Sequence, residues 1–291
     1  TLEGCSMKDT NKNLFQDDNN TLAEKNQDNN KIIEKSHDEL LQEKVAPSKG
    51  VSLQVKWGNA LAKTVEAGAI DLNKYKESLQ RNGTKLTPEH EKLLLEGSSE
   101  NISFTPENAF FNLNMLWAFG LVNENPILTK GKISENENKK AYFASTGGWS
   151  FGNKKGGELL ATAKIIILTP DQQKIVDDVA ANTYRPCCSN PTAFPDCNHG
   201  MAALALAELM ASQGATKEQI FDALLVANSY WFPQTYVNIA EYLEENGKDF
   251  RTTDSKEIMG ANYSSQNGFR KINNSLKNIP KVKVKESTCA N

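Results

Sequence analysis

A mainly α-helical globular domain, with a small β hairpin or sheet and a disordered polar tail in front of it, is the fold class this chain predicts. Three observations carry that expectation. The phrase apolar-Thr-Pro-acid occurs at Leu86–Glu89, Phe104–Glu107 and Leu168–Asp171. Each places Thr at an N-cap, Pro at the first helical position where a missing N–H costs nothing, and an acid near the positive end of the helix dipole. Apolar residues then recur at three- and four-residue spacing through most of the sequence. Runs rich in β-branched residues are few.

Taken in order, helices are expected over 38–45, 57–67, 72–81, 88–96, 106–119, 170–183, 199–213, 217–229 and 233–245. Gln172 and Gln219 sit three residues after Thr169 and Thr216 and complete capping boxes. Gly97, Gly214 and Gly247 stand where C-terminal caps belong. The 106–119 segment is apolar almost all round (Phe110, Phe111, Leu113, Leu116, Trp117, Phe119) and reads as the central core helix. Strand signals are confined to Val51–Val55, Ala141–Ala144 and Lys164–Leu168, so the sheet element is expected between about 130 and 168. From Phe250 onward helical periodicity fades, and alternating Val and Lys at Lys281–Lys285 suggest an extended arm.

The domain is expected over 37–291, with two possible lobes, 37–130 and 161–291, joined by the Gly-rich segment 131–160. That segment contains Ser145–Trp149 and Gly156-Gly157 but neither phosphate-loop glycine spacing, and reads as a turn-rich connection. A net charge of −3 in 291 residues argues against a general nucleic-acid binder. The lysines near 129–155 and 271–285 are interspersed with acids and read as solubilising.

Residues 1–36 differ from the rest. The chain opens Thr1-Leu2-Glu3-Gly4-Cys5-Ser6 and continues as Asn, Asp, Lys and Gln to about Lys35, too polar to bury a core. Leu2–Cys5 resembles the lipobox that ends a bacterial lipoprotein signal peptide, with Glu3 where a small or apolar residue is usual. The resemblance implies acylation of Cys5, a lipid anchor in a membrane of the bacterial cell envelope, and a polar tether leading to the folded domain.

Chemistry concentrates in Tyr184–Met201. Cys187, Cys188, Cys197 and His199 fall within 13 residues, in a loop stiffened by Pro186, Pro191 and Pro195. Three thiolates and an imidazole complete a tetrahedral set for zinc, and the soft donors also suit copper or iron–sulfur. A smaller set, one of Cys187/Cys188 with Cys197, His199 and Met201, would favour copper. Asp196 and Asn198 are placed to hydrogen-bond such ligands from behind. Cys188-x₈-Cys197, with Pro195 before the second cysteine and a histidine after it, resembles the CDGSH iron–sulfur motif. That resemblance implies a cluster held by three Cys and one His. The sequence departs from the motif in the adjacency of Cys187 and Cys188, in His199 following Cys197 by two, and in Asn198 replacing Asp-Gly.

Two other readings of the loop stay open. In an oxidising compartment Cys197 would pair with Cys187 or Cys188 and the remaining thiol with Cys289, giving a disulfide-stapled interaction protein. Alternatively Cys197 or Cys188 serves as a nucleophile with His199 as base and Asp196 orienting it. His37 and His90 are not obvious distant partners. The aromatic corner Tyr230–Tyr236 reads as core, with a ligand groove near Trp231 as the alternative. Glu208 interrupts an apolar helix and reads as a solvated position.

Overall fold

In the computed structural model, residues 35–276 are described, apart from Asn82, Asn136 and the side chain of Glu137. Cys5, the polar tail, the Val/Lys stretch and Cys289 lie outside the described residues.

The chain enters through α1 (His37–Val45), closed at its start by a reciprocal Ser36–Glu39 box, and turns into β1 (Val51–Gly58). Helices α2 (Ala60–Glu66), α3 (Leu72–Arg81) and α4 (Pro88–Glu96) lead to β2 (Ser98–Phe104) and then to α5 (Ala109–Val122). The short helical turn α6 (Pro126–Thr129) leads into the Gly-rich segment, which carries α7 (Ala144–Gly147) and α8 (Gly156–Leu159). The remaining elements are α9 (Pro170–Asn182), α10 (Asn198–Ser212), α11 (Lys217–Trp231), α12 (Pro233–Glu245), α13 (Ser255–Met259), α14 (Ala261–Ser264) and α15 (Gln266–Ser275). None of these helices is long and apolar enough to cross a membrane. The mainly helical class with one two-stranded antiparallel sheet is what the sequence predicts.

Thr-Pro starts behave as expected at α4 and α9, where Thr87 and Thr169 accept the backbone N–H of His90 and Gln172. At Thr105-Pro106 the outcome differs. Thr105 N–H donates to Asn108 Oδ1 while Asn108 N–H donates to Thr105 Oγ1, so Pro106–Asn108 form a closed turn and the helix begins only at Ala109. An asparagine three residues on captured the cap that the Thr-Pro phrase advertised.

The sheet is displaced from where the sequence places it. β1 pairs with β2, Val51 opposite Phe104 and Gly58 opposite Ser98. β1 alternates strictly, with Val51, Leu53, Val55 and Trp57 inward. Trp57 thus belongs to the strand, and α2 starts three residues later than expected. The stretch 141–144 instead forms a 3₁₀ turn ending at Tyr142 and the first residue of α7. Lys164–Leu168 finds no partner strand. Its Ile165 and Ile166 N–H groups donate to the Asn123 side-chain oxygen at 3.0 and 2.9 Å, so one asparagine satisfies what a strand would have. The extended C-terminal arm is likewise corrected: beyond Phe250 the described chain is helical in α13–α15, capped by Asp254 and Ser265.

Helices α5 and α10 form the centre, and both are buried almost along their whole length. They approach closely because Gly120 faces the Met201 carbonyl and Ala205. A Cβ at Gly120 would lie 2.6 Å from that oxygen and 2.9 Å from the alanine methyl. Helices α9, α11 and α12, together with the sheet, complete the layer around this pair. The Gly-rich segment is pinned inward by tryptophans. Trp149 donates to the Ala69 carbonyl and lies edge-on to Trp117, which donates to the Ser145 carbonyl, both at 2.7 Å.

Glu208, read from the sequence as solvated, is fully buried on α10. Asn123 donates to its Oε2 at 2.5 Å, and burial pushes its pKa up to about 8. An acid whose folded pKa exceeds its unfolded value must stay protonated in the fold, so stability is full below about pH 4.5 and falls as pH rises towards 8. Glu208→Gln keeps an acceptor for Asn123 and removes that cost. In denaturant melts the variant is expected to exceed the parent by on the order of 3 kcal/mol at pH 7, with the gap closing near pH 4; equal pH dependence in both proteins would refute this.

Candidate metal centre

The cysteine loop joins α9 to α10 and is docked on both sides. Tyr184 N–H donates to the Met259 carbonyl and Asn228 Nδ2 to the Tyr184 carbonyl, fixing the entrance on α13 and α11. Thr192 and Ala193 N–H groups return to the Thr183 and Ala180 carbonyls of the α9 end. Ser145 N–H, from the Gly-rich segment, donates to the Asp196 carbonyl at 3.1 Å, and Phe143 packs edge-on against Phe194. Gln266 N–H, at the start of α15, donates to the Cys188 carbonyl.

Inside the loop lies a side chain that sequence reasoning missed. Arg185 is only 1 % exposed. Its Nη1 donates to the Asn190 carbonyl at 2.8 Å, and its Nη2 to the Phe194 carbonyl at 3.1 Å and to the Asp196 carboxylate at 2.5 Å. Its Nε donates to Cys197 Sγ at 3.1 Å. Room for the guanidinium exists because residue 200 is glycine; a Cβ there would sit 2.6 Å from the guanidinium carbon. The signal available in the sequence was Arg185 two residues before a Cys pair and Gly200 three after Cys197.

Around this cation the three sulfurs gather. Cys187, Cys188 and Cys197 present Sγ atoms that all lie within 4.8 Å of one another, the one such group among the described residues. Cys197 is central, with Cys187 Sγ at 3.4 Å and Cys188 Sγ at 3.9 Å. All three are half-buried free thiols, with no disulfide among them. These residues can hold a metal ion.

Cys197 caps α10, its sulfur accepting Gly200 N–H at 3.3 Å. Hydrogen bonds from the Cys187 and Cys188 thiols, with the Arg185 guanidinium behind them, hold its pKa well below the ordinary thiol range. Its partners move the other way. Bonding to Cys188 and Cys197, together with burial, pushes Cys187 up. A bond from Cys187 pulls Cys188 down, but its bond to Cys197 and its burial outweigh that and push it up to about 12. Of the three sulfurs, Cys197 is therefore the one whose ionisation the site favours.

His199, the fourth expected ligand, is not brought into the sulfur group. It is fully buried on the first turn of α10, its ring 4.3 Å from that of Phe232 and 5.7 Å from that of Trp231. Burial pushes its pKa down to about 4, against the opposing pull of Cys197, so it is neutral in the fold. Met201 is buried in the core against Gly120. Asp196 does stand behind the sulfurs, bound to Arg185 and to Asn190 Nδ2 at 2.7 Å. Asn198 accepts His199 N–H at 3.0 Å. The aromatic corner is core, as expected, and also floors the loop, with Trp231 and Tyr236 fully buried. Beneath it Asn228, Tyr236 and Ser264 form a buried hydrogen-bond chain of 3.1 and 2.7 Å steps. His37 lies 3.5 Å from Glu244, and His90 stacks on Phe111 at 3.8 Å.

Arg185→Ala removes the donor to the Asn190 and Phe194 carbonyls, to one oxygen of the partly exposed Asp196 carboxylate and, from one side, to Cys197 Sγ. The expected loss is about 3–5 kcal/mol in unfolding experiments, together with an upward shift in the pH midpoint of Cys197 alkylation by iodoacetamide; an unchanged midpoint would show that Arg185 does not set the thiolate. Comparison with family models, curated proteins and solved structures returns no match to this chain, so its chemistry is read from the site itself.

Proposed function

We propose that this chain is an envelope-tethered protein that binds a thiophilic metal ion through Cys187, Cys188 and Cys197. The observation that carries the reading is the mutual approach of three sulfurs within 4.8 Å. At a Zn–S length of about 2.3 Å, tetrahedral angles place two sulfurs about 3.8 Å apart. The Cys197 separations of 3.4 and 3.9 Å bracket that spacing before any ion is bound.

Charge supports the same reading. Three thiolates around a divalent ion leave one surplus negative charge, and the Arg185 guanidinium already lies against Cys197 to offset it. A monovalent soft ion such as Cu(I) suits the same donors with fewer deprotonated sulfurs. When bound, the ion organises the loop and offers a Lewis-acidic or redox-active centre according to its identity. The protein contributes a docked, proline-stiffened loop in which N–H donors from Arg185 and Gly200 already favour negative charge on one sulfur. Binding must displace the protons of Cys187 and Cys188, so affinity rises with pH.

The test is metal titration of the reduced protein, followed by elemental analysis and ultraviolet–visible spectra. One equivalent of zinc, copper or iron is expected in the parent, lost in Cys197→Ser and retained in His199→Gln, with affinity falling as pH is lowered. An iron–sulfur spectrum would assign a cluster, and loss of metal in His199→Gln would restore the imidazole to the ligand set. No metal uptake at all would overturn the reading.

The tether rests on Leu2–Cys5 and the polar residues after it. Expression in a bacterial host behind an apolar secretory segment, with radiolabelled palmitate, is expected to label the parent chain and not Cys5→Ser; equal labelling of both, or none, refutes the anchor.

A further inference from the structure

We infer that Cys187 and Cys197 form a reversible redox couple, oxidised by small hydroperoxides, and that closing their disulfide releases the metal ion by removing two of its three sulfurs. The thiol chemistry stands on the loop geometry alone; only the release step rests on the metal reading above.

Three observations select this pair. The Cys187 and Cys197 sulfurs are 3.4 Å apart. A disulfide needs about 2.05 Å, so closure asks for a displacement of about 1.4 Å. Cys197 is the fixed member, its sulfur taking N–H groups from Arg185 and from Gly200 at the start of α10. Both N–H groups are directed at Cys197 Sγ, so charge developing there is better stabilised than on its neighbours, and Cys197 is the attacking member. Cys188 is the less suited partner. Its sulfur is farther, at 3.9 Å, and its backbone is tied at both ends, N–H to the Arg185 carbonyl and carbonyl to Gln266 N–H. All three residues are partly exposed.

The chemistry balances in two steps. The Cys197 thiolate attacks one peroxide oxygen; the S–O bond forms, the O–O bond breaks, and the departing hydroxide or alkoxide takes a proton from solvent. The Cys187 thiol then attacks the sulfenic sulfur; the S–S bond forms, the S–O bond breaks, and water leaves with the thiol proton. Two sulfurs have given up two electrons, and one hydroperoxide has become water and an alcohol, or two waters. Reduction by a dithiol restores both sulfurs.

The full chain would be reduced, split into zinc-free and zinc-loaded samples, and treated with hydrogen peroxide. Thiol counting, peptide mapping and a chromophoric zinc chelator read the result. Expected are loss of two thiols in the parent and in Cys188→Ser, and a dimedone-trappable sulfenic acid on Cys197 in Cys187→Ser. The zinc-loaded sample is expected to release its ion in step with thiol loss and to take it back after dithiothreitol. A parent that stops at oxidised Cys197 without a cross-link overturns the couple. A Cys187→Ser variant that cross-links through Cys188 as fast as the parent overturns the choice of Cys187. Cross-linking without zinc release overturns the gating. A parent that cross-links yet never took up zinc, copper or iron removes the metal reading and the release step while the redox couple stands.

Discussion

A guanidinium buried in a loop must find acceptors for its donors or make the fold pay heavily in desolvation, and Arg185 organises the cysteine loop by meeting that demand. Two backbone carbonyls, a carboxylate and a sulfur surround it, contributed by Asn190, Phe194, Asp196 and Cys197. Each contact draws a different part of the loop towards one point, and the three thiols come together around that point. The same cation adds to the thiol hydrogen bonds that favour ionisation of Cys197. Its place against α10 depends on Gly200, where a side chain would collide with it.

The loop could not be held this way without rigid surroundings. α5 and α10 meet at near-backbone distance through Gly120 and Ala205, which fixes the start of α10 and with it Cys197. The Gly-rich segment, anchored by Trp149, brings Ser145 and Phe143 against Asp196 and Phe194. α11, α13 and α15 hold the other side through Asn228, Met259 and Gln266. A segment that reads as a mere connection is therefore one wall of the site. Polar groups far apart in sequence meet there because the loop's backbone needs partners that no regular element supplies.

Legibility of the sequence varied with the range of the interaction involved. Capping boxes at Thr169 and Thr216, the apolar helix around Trp117 and the buried corner at Trp231 all follow from neighbours within a few residues or from plain hydrophobicity. The sheet did not, because Val51–Val55 and Ser98–Phe104 pair across more than forty residues and β2 is mostly polar on its outer face. Glu208 misled for a related reason. A carboxylate within an apolar helix looks solvated until the fold supplies Asn123 and excludes water, after which the neutral acid is the stable form.

The sequence by itself determined the helical class, most helix starts, and the presence of three thiols and an imidazole in one stiff loop. Those properties depend on local capping, on apolar periodicity and on proline, all of which act over one or two turns. Tertiary structure decided which of the four converge. It gathered Cys187, Cys188 and Cys197 and turned His199 inward against Phe232. It also placed a buried arginine among the sulfurs. The physical reason is that ligand geometry and thiol ionisation depend on distances and on solvent exclusion, and these are set by elements that meet only once the whole chain has packed.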